Sequence, residues 1–393
     1  MKRPLEEAPA MDGSSIAAPA SARTLDQLVA RFAQRAARHD RSGEIALDNL
    51  ADLRDAGLLA LALPPASGGQ GIGVRQITEI VGRIAQGDPS TALILAMQYL
   101  QSGAIARSPA WSDTVRGELF ASIVRDGALI NALRVEPELG TPARGGLPAT
   151  SVRHDGTAWR LNGRKIFSTG STALKWGVVW SRTEEDTPRV GQVLVPLDLP
   201  GVRIEQSWNQ MGMRATGSHT VIFENVALPD HYLVNLAPPG SAPDEAVALA
   251  TWHAVVVGAL YDGVARAARD WLIGFLHARA PSNLGAPLST LPRFHTLLGE
   301  IDALLLTNSA LIDHALRREE AGEQAGTDAG LVKQVVTENA IAAVGKAVAA
   351  IGNPGLSQDN PLERHYRDVL CGRIHTPQGD SALASAGRAA LAG

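Results

Sequence analysis

Leu161–Gly170 reads LNGRKIFSTG and lies in the middle of a region made of short β-strand patterns. Between residues 128 and 229, runs of β-branched and aromatic residues alternate with turn residues. Asp155-Gly156 predicts a hairpin turn, and Asn162-Gly163 predicts a second turn. No helical pattern interrupts these strands. The sequence therefore predicts an antiparallel sheet or barrel rather than a domain of alternating strands and helices.

Helical patterns lie on both sides of this region. Before it, Ile77, Ile80, Val81 and Ile84 recur at the three- and four-residue spacing of an amphipathic helix. After it, long Ala-rich stretches with the same spacing are typical of a helical bundle. We predict helices there at residues 245–279, 292–321 and 328–351.

These patterns predict an α+β protein with four segments. Residues 1–23 are rich in proline, serine and acidic residues, and we expect a mobile tail there. An N-terminal helical domain is predicted over residues 24–127, a middle β domain over 128–240 and a C-terminal helical bundle over 241–393.

Composition narrows the classes of partner. The 393 residues include 36 Lys+Arg against 40 Asp+Glu, a net charge of −4, which argues against nucleic-acid and membrane partners. The only cysteine, Cys371, excludes a disulfide scaffold and a multi-cysteine metal centre, and we predict no metal site. Without an apolar leader or a membrane-length apolar run, we expect a cytoplasmic protein.

Short nucleotide and hydrolase motifs give no support for other activities. Gly69-Gln70-Gly71-Ile72-Gly73 resembles a dinucleotide loop, but no buried strand precedes it, so we interpret it as a turn before a helix. The sequence has no Walker A motif, no HExxH and no G-x-S-x-G.

Five separated segments carry a resemblance to a known family. In order and spacing they resemble the acyl-CoA dehydrogenase superfamily of flavoproteins, almost throughout the chain. The resemblance implies a middle β-barrel domain and a C-terminal four-helix bundle, with FAD between them, in a homotetramer. The segments are ALRVEPELGT at 132–141, LNGRKIFSTG at 161–170, MGMR at 211–214, HTVIFENVALP at 219–229 and PLERHYRD at 361–368.

Matching positions imply flavin contacts. Glu136 and Thr141 belong to the loop that the family places along the flavin. Phe167 stands where an aromatic residue packs on the ring, and Thr169 where a hydroxyl donates toward the flavin N5. Arg279 occupies the place of an arginine that reaches the flavin diphosphate of a neighbouring subunit.

Two departures bear on the dinucleotide part of the cofactor. Pro292 and Ala349 replace glutamines that are usual in the family, so FMN remains an alternative to FAD.

The departure that matters most concerns the catalytic base. Dehydrogenases of the family use a carboxylate to remove an acidic α-proton while hydride passes to the flavin. The usual glutamate position is Thr376, and a second base position falls near His253. Neither is acidic, so we expect a poor dehydrogenase.

The run Ile374-His375-Thr376-Pro377 and the segment GRKIFSTG resemble instead the monooxygenase branch, which includes dibenzothiophene monooxygenase. In that branch a reductase supplies reduced flavin, and a histidine and a hydroxyl assist the reaction with oxygen. The resemblance gives these roles to His375 and Ser168, with Thr169 as an alternative hydroxyl.

Three hypotheses follow. The first is a monooxygenase that acts on a small sulfur- or nitrogen-containing or aromatic compound, with a flavin reductase as partner. The second is an acyl-CoA dehydrogenase whose base is an unaligned residue such as Glu363 or Asp380. The third is a flavin-binding or assembly subunit without catalysis of its own.

The substrate pocket is predicted to include scattered helix residues. The predicted pocket residues are Met97, Tyr99, Trp252 and His253.

The apolar faces of residues 341–351 predict a homotetramer formed through the bundle.

Overall fold

The computed structural model describes residues 22–139, 146–241, 244–323 and 327–392, except the side chains of residues 244–248. Residues 1–21 and Thr141 lie outside the described residues. The predicted order of a helical, a β-rich and a second helical region is confirmed. The helices are α1 Ala22–Ser42, α2 Leu47–Asp55, α3 Val74–Ala85, α4 Pro89–Arg107, α5 Asp113–Asp126, α6 Asp244–Ala278, α7 Pro292–Glu320, α8 Asp328–Ile351, α9 Asn353–Leu356, α10 Pro361–Leu370 and α11 Gly379–Ala392.

The N-terminal helices pack around α4, which is apolar on all sides. Asp88 begins this helix by accepting a hydrogen bond from the Ser90 amide, and Pro89 occupies its first position. Residues on every face of α4 are buried because it packs on α3, on α6 and on the first strand of the sheet. It thus joins the three regions.

The β-rich region is one eight-stranded sheet in the order β6-β7-β3-β2-β4-β5-β8, with β1 paired to β4. Most pairs are antiparallel, as predicted, but β1 and β2 both run parallel to β4. The strands are β1 Leu129–Leu133, β2 Ser151–His154, β3 Trp159–Ser168, β4 Leu174–Thr183, β5 Val190–Pro196, β6 Val202–Glu205, β7 His219–Leu228 and β8 Leu233–Ala237.

One predicted turn is wrong. Asp155-Gly156 does join β2 to β3, but Asn162-Gly163 lies inside β3, where the pairing with β7 shifts register as a β-bulge. Gly163 has φ 142°, and a Cβ there would lie 2.6 Å from the Cα of Thr150. The glycine therefore permits a close approach of two backbones rather than a reversal of the chain.

The C-terminal region is a bundle in which α8 packs on α6, α7 and α10. The bounds of α6, α7 and α8 agree with the predicted helices to within one residue. The short 3-10 helix Cys371–Ile374 follows α10 and leads into His375. None of the described helices combines the length and apolar character that a membrane span requires.

Candidate functional site

A buried lysine holds the loop that carries His375. Lys333 on α8 is 1% exposed, and its ammonium donates to the carbonyl oxygens of Gly372, His375 and Pro377 at 3.0, 2.6 and 3.0 Å. Burial lowers the pKa of Lys333 to about 8, so the ammonium form still prevails at pH 7. All three N–H donors of an ammonium are thereby used on one loop.

The ring of His375 contacts a second buried side chain. The hydroxyl of Tyr261, on α6, lies 2.8 Å from Nε2 of His375, and the two ring centroids are 5.6 Å apart. Tyr261 is completely buried, and burial raises the pKa of its hydroxyl well above its usual range. Burial, followed by repulsion from His253 and Lys333, lowers the pKa of His375 to about 3. Both groups are therefore neutral near pH 7.

His253, which was predicted in the substrate pocket, lies beside this loop. Its ring hydrogen-bonds the backbone of Thr376, while burial and the charge of Lys333 lower its pKa to about 4. His253 and His375 are nevertheless partly exposed. The structure thus brings His253 beside His375 and Thr376, from which it is distant in sequence.

The β-rich region contributes an exposed aromatic ring and a hydroxyl network. Phe167, at the end of β3, has φ 57° and is 55% exposed, and its ring meets Trp208 edge-on at 6.2 Å. The partly exposed Thr169 shares a 3.0 Å hydrogen bond with Ser218, whose hydroxyl in turn contacts Thr216 at 2.8 Å. This network fixes the Thr169 hydroxyl at the surface of the sheet.

Ser168, in contrast, points inward. It is 1% exposed, and its hydroxyl has no hydrogen-bond partner within the described ranges. Phe167 has a left-handed backbone and the pairing with β7 shifts register between Lys165 and Ser168, so the chain turns Ser168 inward while Phe167 stays exposed. A ligand could contact Ser168 only if its neighbours moved. Of the two predicted hydroxyls, Thr169 is therefore the accessible one.

The sheet and the bundle are joined close to this hydroxyl network. Thr216 donates to the carbonyl of Met213 at 2.9 Å, and the Met213 amide donates to Asp368 of α10 at 2.6 Å. A Cβ at Gly212 would lie only 2.2 Å from the carbonyl oxygen of Arg367. Backbone of the sheet region therefore rests directly on the helix that precedes His375.

Glu136 has a structural partner. Its carboxylate accepts from Lys165 at 2.6 Å and from the amides of Ala149 and Thr150 at 2.7 and 3.0 Å. Burial alone would raise the pKa of Glu136, but these donors hold it below its usual range. The charges of Glu136 and Lys165 are both fully enclosed. The side chain of Glu136 thus fixes the strand ends, and only the backbone around it is left for a cofactor contact.

The remaining predicted residues are dispersed. Arg279 follows α6 and is exposed, while Met97 is half-buried on α4. Tyr99 is completely buried, and its hydroxyl has no partner among the residues described. Trp252 is fixed by a 2.7 Å hydrogen bond to Glu319 and by the guanidinium of Arg107, 3.8 Å from its ring centroid.

The carboxylates that were considered as alternative bases lie in other surroundings. Glu363 is bonded through both oxygens to Arg367, at 2.7 and 3.0 Å. Asp380 is exposed in the first turn of α11. The hydrogen bonds of the Lys333 and His375 side chains go to backbone carbonyls and to the Tyr261 hydroxyl.

Sequence reasoning missed Tyr261, Lys333 and Lys165. Tyr261 and Lys333 lie within apolar helical runs, and each contacts residues that are distant in sequence. The one available signal was a lysine inside the valine-rich run LVKQVV, because a lysine on a buried face requires acceptors.

Comparison with known proteins identifies the family of this chain. Models of the N-terminal, middle and C-terminal domains of acyl-CoA dehydrogenases match residues 20–108, 134–226 and 255–378. The putative acyl-CoA dehydrogenase YdbM of Bacillus subtilis (strain 168) is 35% identical over 369 residues, which cover 91% of this chain and 93% of that protein. The chain belongs to the acyl-CoA dehydrogenase family.

Other proteins similar to this chain carry different names. The L-evernosamine nitrososynthase of a Micromonospora species is 27% identical over 380 residues, 91% of this chain and 87% of that protein. The structure of KijD3 in complex with FMN and a dTDP-linked amino sugar has a TM-score of 0.82 and 25% identity, and the match covers 96% of each chain. The predicted superfamily is confirmed, while its monooxygenase branch stays a prediction.

Proposed function

We propose that this member of the acyl-CoA dehydrogenase family is a flavin-dependent monooxygenase of small molecules. One observation carries the proposal. The loop at the family's base position presents His375, held by Tyr261 and Lys333, and not a carboxylate. Without a positioned base, α-proton removal loses on the order of 10²–10⁴-fold in rate. A neutral, partly exposed histidine is suited instead to donating a hydrogen bond to oxygen.

The residues at the predicted cofactor site fit a flavin. The exposed ring of Phe167 beside Trp208 offers an apolar wall for a planar ring system, and the accessible Thr169 hydroxyl offers a polar contact at its edge. A bound reduced flavin would supply the two electrons that oxygen activation requires. FAD and FMN both remain candidates, and the KijD3 complex contains FMN.

In the proposed reaction the substrate, O2, two electrons and two protons give the oxygenated product and water. His375 would donate a hydrogen bond to the oxygen that is to be transferred and hold it next to the substrate. Thr169 would fix the edge of the cofactor. The packing of Gly212 on α10 holds the sheet and the bundle in direct contact, and a junction closed in this way would shield the oxygen that reacts from water. We assign the hydroxyl role to Thr169 rather than to Ser168 because only Thr169 is accessible.

Amines are the first substrates to test. The nitrososynthase is named for an amino sugar, and KijD3 was solved with an amino-sugar nucleotide. Sulfur-containing compounds and aromatic compounds follow as the other classes predicted from sequence, tested here as sulfides and indoles. The reductase partner is proposed because the reaction consumes reduced flavin in each turnover.

The test is oxygenation with isotopically labelled O2. Purified protein is supplied with FMN or FAD, a flavin reductase and NADH, and offered panels of amines, sulfides and indoles. Label in a product supports the proposal, and His375→Ala should abolish this label while flavin binding persists. The name of YdbM favours the dehydrogenase as second candidate. Rapid anaerobic bleaching of bound FAD by butyryl-CoA or octanoyl-CoA would establish it and refute oxygenation.

The proposal includes a homotetramer. Leu306 on α7 and Val335 on α8 are 73% and 41% exposed, and an interface with further copies of the chain would remove them from water. Light scattering at micromolar concentration is expected to show a species larger than the monomer. A stable monomer would contradict this part of the proposal.

A further inference from the structure

The environment of His375 determines which ring nitrogen carries its proton. Oη of Tyr261 is completely buried, and Nε2 of His375 is its only hydrogen-bond partner among the described residues. If Nε2 carried the proton, the hydroxyl would accept it and its own proton would be buried without an acceptor. Proteins rarely leave a buried donor unpaired. Tyr261 therefore donates to Nε2.

This donation places the ring proton on the other nitrogen. A neutral imidazole has one N–H and one acceptor nitrogen, so an accepting Nε2 requires a protonated Nδ1. No described residue hydrogen-bonds Nδ1, the side chain of His375 is partly exposed, and Nδ1 is not among the buried polar atoms that lack a partner. Nδ1–H is thus available to a ligand.

We propose that Tyr261 and Lys333 are positioning residues that hold His375 as a neutral Nδ1–H donor directed at the reacting oxygen. The inference rests on the proposed function for the identity of the acceptor, but not for the tautomer. Tyr261 sets the tautomer through its hydroxyl, while Lys333 fixes the backbone of the loop at three carbonyls. His375 in this state donates a hydrogen bond and does not act as a base through Nε2.

The deciding experiment is nitrogen NMR of ¹⁵N-histidine-labelled, flavin-loaded protein, with the signals assigned by comparison with His375→Gln. We expect a protonated Nδ1 and an unprotonated Nε2 in the wild type. In Tyr261→Phe, the Nε2–H form should become substantially populated. The matched control is Tyr232→Phe, which removes another buried phenol, bonded to Glu118 at 2.9 Å, and should leave the tautomer unchanged.

Activity supplies a second readout. For the amine that the wild type oxygenates, Tyr261→Phe should lower kcat on the order of tenfold, as expected for the loss of one hydrogen bond, with little change in KM. Lys333→Met should release the loop and produce mixed His375 tautomers as well. Tyr261→Phe alone decides the matter if Lys333→Met does not fold.

The outcomes separate the two proposals. An Nε2–H wild type, or a tautomer that survives Tyr261→Phe, overturns the inference about positioning. Absence of oxygenation together with the expected tautomers overturns the proposed function and leaves the role of Tyr261 in setting the tautomer standing.

Discussion

Removing Lys165 should destabilise the protein strongly, because it leaves a charged Glu136 in the interior. The two side chains are 2.6 Å apart and at most 1% exposed. Breaking a buried pair from one side typically costs about 3–5 kcal/mol. Because the amides of Ala149 and Thr150 still donate hydrogen bonds to the carboxylate, the loss in Lys165→Met should lie near the lower end of this range, at about 3 kcal/mol.

Urea unfolding at a fixed protein concentration measures this loss. Lys175→Met, which breaks the exposed pair with Asp198, is the control and should change stability by at most about 1 kcal/mol. The double variant Lys165→Met/Glu136→Gln should be less destabilised than the sum of the single variants, by about 1–3 kcal/mol. If Lys165→Met lost no more than the control, the enclosed ion pair would not be the element that fixes these strands.

Three further predictions concern the junction between sheet and bundle and the ring of His375. Burial raises the pKa of Asp368 to about 7, so the contribution of its protonated carboxyl to stability is present below pH 4 and is lost as the pH rises through 7. In urea unfolding, the free energy of unfolding of Asp368→Asn should therefore exceed that of the wild type by on the order of 1–4 kcal/mol at pH 8, with little difference at pH 4. Gly212→Ala should cost about 1–3 kcal/mol and weaken flavin binding in a fluorescence titration, whereas Gly274→Ala, with open space around it, should do neither. With a pKa of about 3, His375 should cause no inflection between pH 6 and 7 in the profile of kcat/KM, and a histidine-like step there that His375→Gln removes would contradict its neutral state.

The order of elements was predictable because it depends on local periodicity. Helix α8 has the predicted bounds, since its apolar spacing and the glycine that follows it, Gly352, mark both ends. The turn at Asp155-Gly156 was also predicted correctly, because it too depends on neighbouring residues. Asn162-Gly163 has an equally good turn sequence, but the approach of Thr150, which is distant along the chain, makes it a bulge.

The candidate site was predictable only in part. A resemblance in motif order indicated His375 and Thr169, because those motifs can be read from neighbouring residues. Tyr261 could not be found in this way, since it meets His375 across 114 positions of sequence. Ser168 was preferred over Thr169 because sequence alone does not reveal which face of β3 is open, and the left-handed residue before it, Phe167, sets that face.

Helix α4 has a consequence for how the molecule can be divided. Its apolar surface is covered by α3 on one side and by α6 and β1 on others, and α3 meets α6 so closely that a Cβ at Gly263 would lie 2.3 Å from the carbonyl of Gly82. A fragment that ends at residue 127 would expose this surface to water and would tend to aggregate. The three regions are therefore not interchangeable modules. Chimaeras that graft a new sheet or bundle onto the N-terminal helices must carry the matching faces of α6 and β1 with them.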